Sequence, residues 1–185
     1  MLEKAIDRLA EAVIADGGVC ETSTRQNAVA ASLLLARAPK LKSGPFEPTA
    51  TEDAVRFAVR SVRDMEPGVL AIQGPPGAGK TYTGATMIRD LVKQGKKIGV
   101  TATSHKVILN LLEAVLDLSP NEPIAIAHKG DEDQMDGTHP NITPLASNEE
   151  AALALTTRTA NVVGGTVWVW ARPEFANSID VLFVD

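Results

Sequence analysis

The sequence predicts an α/β fold in which flanking helices cover a parallel sheet and a short helical segment precedes it. Two observations predict this fold. From residue 69 onward, short apolar runs of strand length alternate with stretches of helical periodicity, which is typical of successive β-α-β units. In addition, a glycine-rich loop lies between the first apolar run and the first of these helical stretches. With 44% hydrophobic and 22% charged residues, the composition is that of an ordinary globular protein.

The region before the sheet is predicted to be helical. Residues 2–15 place apolar side chains at the spacing of one helix face, and a second helix can run from Thr24 to Arg37. Three prolines and a glycine in Pro39–Pro48 predict a connection, so we expect a helical segment and linker at 1–48 and the α/β domain at 49–185. A third amphipathic helix is predicted over Thr51–Met65.

The predicted sheet contains four strands. Their apolar runs are rich in valine and other strand-forming residues, and they are Val69–Gln73, Ile98–Ala102, Asn161–Thr166 and Asp180–Val184. Helices are predicted at 80–94, closed by Gly95 as a C-terminal cap, and at 105–118. Acidic residues, prolines and glycine predict a solvated insertion at about 128–150.

The glycine-rich loop fits the phosphate-binding pattern G-x-x-x-x-G-K-[ST]. Its residues are Gly74, Pro75, Pro76, Gly77, Ala78, Gly79, Lys80 and Thr81. Glycines let backbone N–H groups converge on phosphate oxygens, and the N-terminus of the next helix adds partial positive charge. We expect Lys80 to reach the β- and γ-phosphates of ATP and Thr81 to bind Mg²⁺. The alternative is a glycine-rich turn that binds nothing.

An acidic residue ends the last apolar run. Ile179–Val184 is followed by Asp185, as in the second nucleotide motif of such proteins, whose carboxylate orients Mg²⁺. We therefore predict that Lys80 and Asp185 serve ATP turnover, with a simple turn residue at the strand end as the alternative for Asp185. The group that positions the attacking water is expected outside these residues.

Three stretches of the sequence resemble superfamily 1 helicases of the 5′ to 3′ branch, which includes RNA-surveillance and replication helicases. They are residues 71–81, residues 99–108, and Val162–Thr166 together with Asp180–Asp185. The resemblance implies most of a first RecA-like domain, with an ATP-driven helicase or translocase as the parent protein. It also implies a second RecA-like domain that supplies arginines to the ATP site.

The sequence departs from the family pattern at three places. The family usually has threonine at the position of Ala78, and its acidic box continues with a glutamate after the position of Asp185. Thr51 occupies the position at which the family commonly has an adenine-reading glutamine. Residues 1–67 resemble the segment that joins a RecB-like nuclease to such a helicase in some bacterial proteins.

Candidate nucleic-acid contacts lie at two predicted strand ends. By the resemblance, Thr103, Ser104, His105 and Thr166 contact single-stranded DNA or RNA. The residues by themselves also fit an ordinary helix cap at Thr103 or Ser104. Trp168 and Trp170 are interpreted as packing residues, with base stacking as the alternative. His128 and His139 have no metal-ligand spacing, so we expect no metal except the Mg²⁺ that accompanies ATP.

Charge and cysteine content bound the remaining functions. The formal net charge of −5 gives no overall attraction for nucleic acid, so such binding must depend on local patches. The single cysteine, Cys20, fits a cytoplasmic protein, and no run of 18 apolar residues predicts a membrane span. Two alternatives to the helicase hypothesis remain: an AAA-type or regulatory ATPase that acts on protein partners, and an inactive fragment that only binds ATP.

Overall fold

A computed structural model describes residues 2–15, 28–130 and 139–185. These residues form two compact units, Leu2–Lys80 and Thr81–Asp185. The domain boundary expected near residue 48 stays a prediction.

The Leu2–Lys80 unit is helical. It contains α1 (Leu2–Ala15), α2 (Ala28–Leu34) and α3 (Ala54–Asp64). Residues 24–27 of the predicted second helix lie outside the described residues. The Asp53 side chain accepts a hydrogen bond from the Arg56 N–H (2.8 Å) and caps α3, as its position before the helix favours.

The connection predicted at residues 39–48 contacts α3. The Lys42 N–H donates to the Asp64 carbonyl (3.0 Å). Arg60 donates from Nε and Nη2 to the two carboxylate oxygens of Glu52, at 2.6 and 2.8 Å. The pKa of Glu52 is lowered to about 2, mainly by the hydrogen bond from the Arg60 guanidinium. The Lys42 contact fixes the segment against the end of α3, and the Arg60–Glu52 pair fixes the residues that follow the segment against the same helix.

The prediction of a first strand at Val69–Gln73 is wrong. These residues have no regular secondary structure and do not belong to the described sheet, and Ile72 is 41% exposed. The apolar run Val69–Ile72 has the composition of a strand, whereas a strand also requires a neighbour to take its N–H and C=O groups. The neighbouring strand cannot be read from a local pattern, so the run alone did not decide the pairing.

The Thr81–Asp185 unit, together with Lys80 at the start of its first helix, has the predicted α/β architecture. Its described elements, in chain order, are α4 (Lys80–Lys93), β1 (Ile98–Thr101), α5 (His105–Asp117), β2 (Ile126–Lys129), β3 (Ile142–Leu145), α6 (Asn148–Thr157), β4 (Val162–Gly164), α7 (Val167–Trp170) and β5 (Val181–Val184). Within the described residues, the five strands form one parallel sheet in the order β3-β2-β4-β1-β5. The predicted α/β class, a RecA-like P-loop sheet with flanking helices, is confirmed.

Two strands, β2 and β3, and two helices, α6 and the short α7, were not predicted. β2 and β3 lie in or beside the stretch 128–150 that the composition assigned to a solvated insertion, and α6 begins within it. Residues 131–138, which contain most of the acidic residues of that stretch, lie outside the described residues. β3 is an edge strand with the burial pattern buried-exposed-exposed-buried, so its sequence lacks the apolar run of a central strand.

Helices cover both faces of the sheet. α5 packs on one face, where a Cβ added at Gly164 would meet Ile108 and Leu112 at 2.7 Å. The other face holds a core cluster from β2, β3, α6, β4, α7 and the short 3₁₀ turn at Pro173–Phe175: Ala127, Leu145, Ala151, Ala154, Leu155, Ala160, Val163, Val169 and Phe175. The carboxyl ends of the parallel strands therefore form one open edge between two helical layers.

None of the helices in the described ranges is long and apolar enough to cross a membrane.

Candidate functional site

The loop Gly74–Thr81 has the backbone shape of a phosphate cradle. Gly77 and Gly79 have φ values of +78° and +82°, in the left-handed region that favours glycine. A Cβ added at Gly74 would lie 3.1 Å from the Ala78 Cβ, so the two ends of the loop approach closely. The pattern of glycines is therefore required by the conformation of the loop.

Lys80 folds back over this loop. Its Nζ donates to the Gly74 carbonyl at 2.7 Å and to the Pro75 carbonyl at 3.1 Å. Lys80 is exposed, and it is the first residue of α4. A cation is thus held at the mouth of the loop by neutral acceptors, which a more strongly attracting anion can replace.

α4 begins at the loop, as predicted. The first N–H groups of a helix have no intrahelical acceptor, and the helix dipole makes this end partly positive. Thr81 is exposed in the first turn, and no acidic residue lies in that turn. The local charge therefore favours an anionic ligand.

The other predicted site residues follow neighbouring strands of the sheet. Thr103, Ser104 and His105 follow β1, Thr166 follows β4, and Asp185 follows β5. β1 lies between β4 and β5, and the Asp185 N–H donates to the Thr101 carbonyl at 3.0 Å. Adjacent strands are about 4.8 Å apart, so these residues gather at one edge of the sheet. The loop at 74–80 belongs to the Leu2–Lys80 unit.

Ser104 caps α5. Its Oγ accepts from the Val107 N–H at 3.4 Å, which is the capping role that the sequence left open. Thr103, Ser104 and Lys106 are exposed, whereas His105 is half-buried. The start of α5 therefore presents two hydroxyl groups and a cation to solvent at the open edge.

Thr166 precedes α7. It is the N-cap of this short helix, but its side chain makes no capping hydrogen bond. The preceding Gly165 N–H donates to the Val100 carbonyl at 3.0 Å, which ties the end of β4 to β1. The Thr166 side chain is half-buried at this junction.

The two tryptophans have different environments. The Trp170 indole N–H donates to the Gly165 carbonyl at 3.1 Å, and its ring packs edge-on against Phe175 with centroids 5.6 Å apart. Packing is therefore the correct interpretation for Trp170. Trp168 is 56% exposed. The packing interpretation therefore does not hold for Trp168 within the described residues.

His128 is a residue of this edge that the sequence pattern did not identify. It is fully buried in β2, and its Nε2 lies 2.9 Å from His105 Nδ1. Burial is the main cause that lowers the pKa of His128 to about 4, followed by the charge of His105. The sequence contains no local signal for this pair because 23 residues separate its members.

Comparison with curated proteins finds partial similarity. The chain is 38% identical over 78 residues to the Regulator of nonsense transcripts 1 homolog of Drosophila melanogaster. The match covers 42% of this chain and 6% of that protein, so the chain corresponds to a small part of its relative. No protein-family model matches the chain. The similarity is consistent with a fragment of a superfamily 1 helicase.

Proposed function

We propose that this chain is the ATP-binding part of a helicase or translocase that moves on single-stranded DNA or RNA. The observation that supports it most is the loop Gly74–Thr81, whose left-handed glycines and inward-folded Lys80 have the form of a phosphate site at a helix N-terminus. The partial relative is named for nonsense transcripts, which are RNA.

The loop residues fit a magnesium-bound triphosphate. Backbone groups of residues 74–79 would surround phosphate oxygens, and Lys80 would exchange its two carbonyl acceptors for the β- and γ-phosphates. The Thr81 hydroxyl and the exposed Asp185 carboxylate are suited to Mg²⁺, which prefers oxygen ligands. Bound Mg·ATP supplies a transferable γ-phosphoryl group with its charge partly neutralised. Arginines and a water-orienting group from a second RecA-like domain would complete hydrolysis.

Titration calorimetry of the chain with ATP and Mg²⁺ tests the nucleotide site. We expect heat of binding from the native chain and none from Lys80→Ala, because the mutation removes the cation that faces the phosphates. Lys93→Ala is the control, since Lys93 ends the same helix about 20 Å from Lys80. A native chain without heat, or equal heat from Lys80→Ala, would contradict the proposal.

A fluorescent oligonucleotide tests the residues that are proposed to bind single-stranded nucleic acid. Thr103→Ala combined with Ser104→Ala should weaken binding of a single strand and leave the heat of ATP binding unchanged, because the hydroxyl groups are proposed to hold a backbone phosphate. Ser104 also caps α5, so loss of a cap needs its own control. Ser147→Ala provides it, since Ser147 Oγ caps α6 by accepting from the Glu150 N–H.

The second candidate is a regulatory or AAA-type ATPase that acts on protein partners. The formal net charge of −5 favours it, because an acidic chain repels a polyanion over most of its surface. Binding of ATP without any binding of single-stranded DNA or RNA would favour this second candidate.

A further inference from the structure

Two histidines connect the segment 103–105, which is proposed to bind single-stranded nucleic acid, to the interior of the sheet. His105 is the first residue of α5 and follows Thr103 and Ser104, whereas His128 is a fully buried residue of β2. His105 Nδ1 and His128 Nε2 are 2.9 Å apart, and the two rings meet edge to face at 81° with centroids 5.1 Å apart. A residue of the proposed contact surface is therefore held by a residue that solvent does not reach.

Gly164 in β4 and Gly130, which directly follows β2, make room for the His128 ring. In the register of β2 with β4, His128 is opposite Gly164, where an added Cβ would lie 2.8 Å from His128 Nδ1. An added Cβ at Gly130 would lie 3.1 Å from His128 Nε2 and 3.3 Å from His105 Nδ1. Real Cβ atoms rarely approach so closely, so the backbone on both sides fits this pair of rings closely.

The protonation state of His128 makes its contact with His105 directional. At neutral pH the buried ring is uncharged, because burial lowers its pKa to about 4. A neutral imidazole has one donor nitrogen and one acceptor nitrogen, so the 2.9 Å contact requires one shared N–H. This hydrogen bond fixes the plane of the His105 ring and engages its Nδ1. Nε2 is the other hydrogen-bonding nitrogen of His105.

We propose that His128 is a positioning residue: its Nε2–H donates to His105 Nδ1 and so orients His105 that the His105 Nε2–H donates to a backbone phosphate of the bound single strand. This inference rests on the proposed nucleic-acid function. His128 itself touches no ligand, because it is completely buried.

A double-mutant cycle tests the proposal, with oligonucleotide affinity as the readout. His128→Phe keeps a buried aromatic ring and removes the hydrogen bond, so affinity should fall about two- to tenfold. In a His105→Ala background the same change should have no further effect, because His128 acts only through His105. His128→Gln offers a side-chain amide at similar reach and should restore part of the affinity. Equal losses in both backgrounds would show a merely structural role and overturn the proposal.

The result separates this inference from the proposed function. If the native chain binds no single strand, both fail. If it binds and His128→Phe binds equally well, only the positioning role fails. Nitrogen-15 NMR of histidine in the native chain requires no variant: oligonucleotide should shift the His105 Nε2 resonance and leave that of the buried His128 Nδ1 nearly unchanged. An unmoved His105 resonance in a saturated complex would overturn the proposal.

Discussion

Gly164 shows how a single missing methyl group fixes the packing at the end of β4. A Cβ at this position would lie 2.7 Å from Ile108 Cγ2 and Leu112 Cδ1 on α5 and 2.8 Å from His128 Nδ1. All three neighbours are buried, so they have little space into which to move. Gly164→Ala should lower the free energy of unfolding by about 1–3 kcal/mol, as overpacking of a core usually does.

Gly84 provides the matched control for this prediction. It lies within α4, where a Cβ would meet only Leu111 Cδ1, at 3.5 Å, an ordinary van der Waals distance. Alanine is the better helix former by about 0.5–1 kcal/mol, so Gly84→Ala should leave stability unchanged or raise it. Urea denaturation of the two variants measures both effects. Equal stabilities would show that β4 and α5 adjust freely.

The buried His128 should make stability depend on pH. In the unfolded chain its imidazole takes up a proton near its ordinary pKa of 6.5, whereas in the folded chain burial lowers the pKa to about 4. Between these values the unfolded state binds more protons, so the free energy of unfolding decreases as the pH falls from about 6.5 to about 4. His105 and Lys129 add to the lowering, and the Gly164 backbone opposes it.

Denaturation at several pH values measures this dependence. His128→Phe should reduce the slope of stability against pH in that window, because the titrating group is gone. His139→Phe, which leaves His128 in place, should keep the slope. An unchanged slope in His128→Phe would mean that other groups cause the acid sensitivity.

At the scale of secondary structure, the local sequence predicted the helices that have a regular apolar spacing or a capping residue. α1, α4 and α5 follow their predicted ranges closely, and Gly95 ends α4 with the expected left-handed φ of +76°. β2 and β3 were missed because their short segments contain histidine and proline and adjoin an acidic stretch. The run at 69–73 has strand composition without a strand partner, since pairing depends on residues far away in sequence.

The candidate site divides in the same way. The glycine-rich loop at 74–81 is identified from sequence as a candidate phosphate site because that chemistry depends on residue types at fixed local spacing, and its role in binding stays a prediction. The roles of the two tryptophans cannot be predicted from sequence, although only one residue separates them. Trp170 donates its indole N–H to the ends of both β1 and β4, whereas Trp168 faces solvent. That difference follows from the orientation of α7, which only the packed structure determines.

The two tryptophans should contribute unequally to stability. Trp170→Phe removes the indole donor that contacts the Gly165 carbonyl at 3.1 Å and the Val100 carbonyl at 3.4 Å. A lost hydrogen bond in this position costs about 0.5–1.5 kcal/mol, with a further loss from the smaller ring. Trp168→Phe should change the free energy of unfolding by less than about 0.5 kcal/mol, as for most surface substitutions.

Chemical denaturation compares these variants, and fluorescence quenching checks the environments on which the prediction rests. Acrylamide should quench the tryptophan that remains in Trp170→Phe more strongly than the one that remains in Trp168→Phe. Similar quenching in both variants would contradict the assignment of Trp168 to the surface.

For the whole molecule, charge limits how nucleic acid can be bound. The chain contains 23 acidic residues against 18 lysines and arginines, so the proposed binding of nucleic acid requires local attraction, which we place at the open edge of the sheet. At the start of α5 that edge offers exposed hydroxyl groups, Lys106, and the His105 ring fixed by His128. Hydrogen bonds from hydroxyl and backbone groups release no counterions, in contrast to lysine and arginine contacts with phosphate.

This balance predicts a weak salt dependence for single-strand binding by the chain. Each phosphate that a cation neutralises contributes about −0.7 to the slope of log K against log salt concentration. With one or two such contacts at the start of α5, the slope should be about −1, and Lys106→Gln should bring it closer to zero. Anisotropy titrations with oligo-dT and oligo-U at increasing salt measure this slope. A slope of about −4 or steeper would require a basic surface elsewhere and would remove α5 from the centre of the interface.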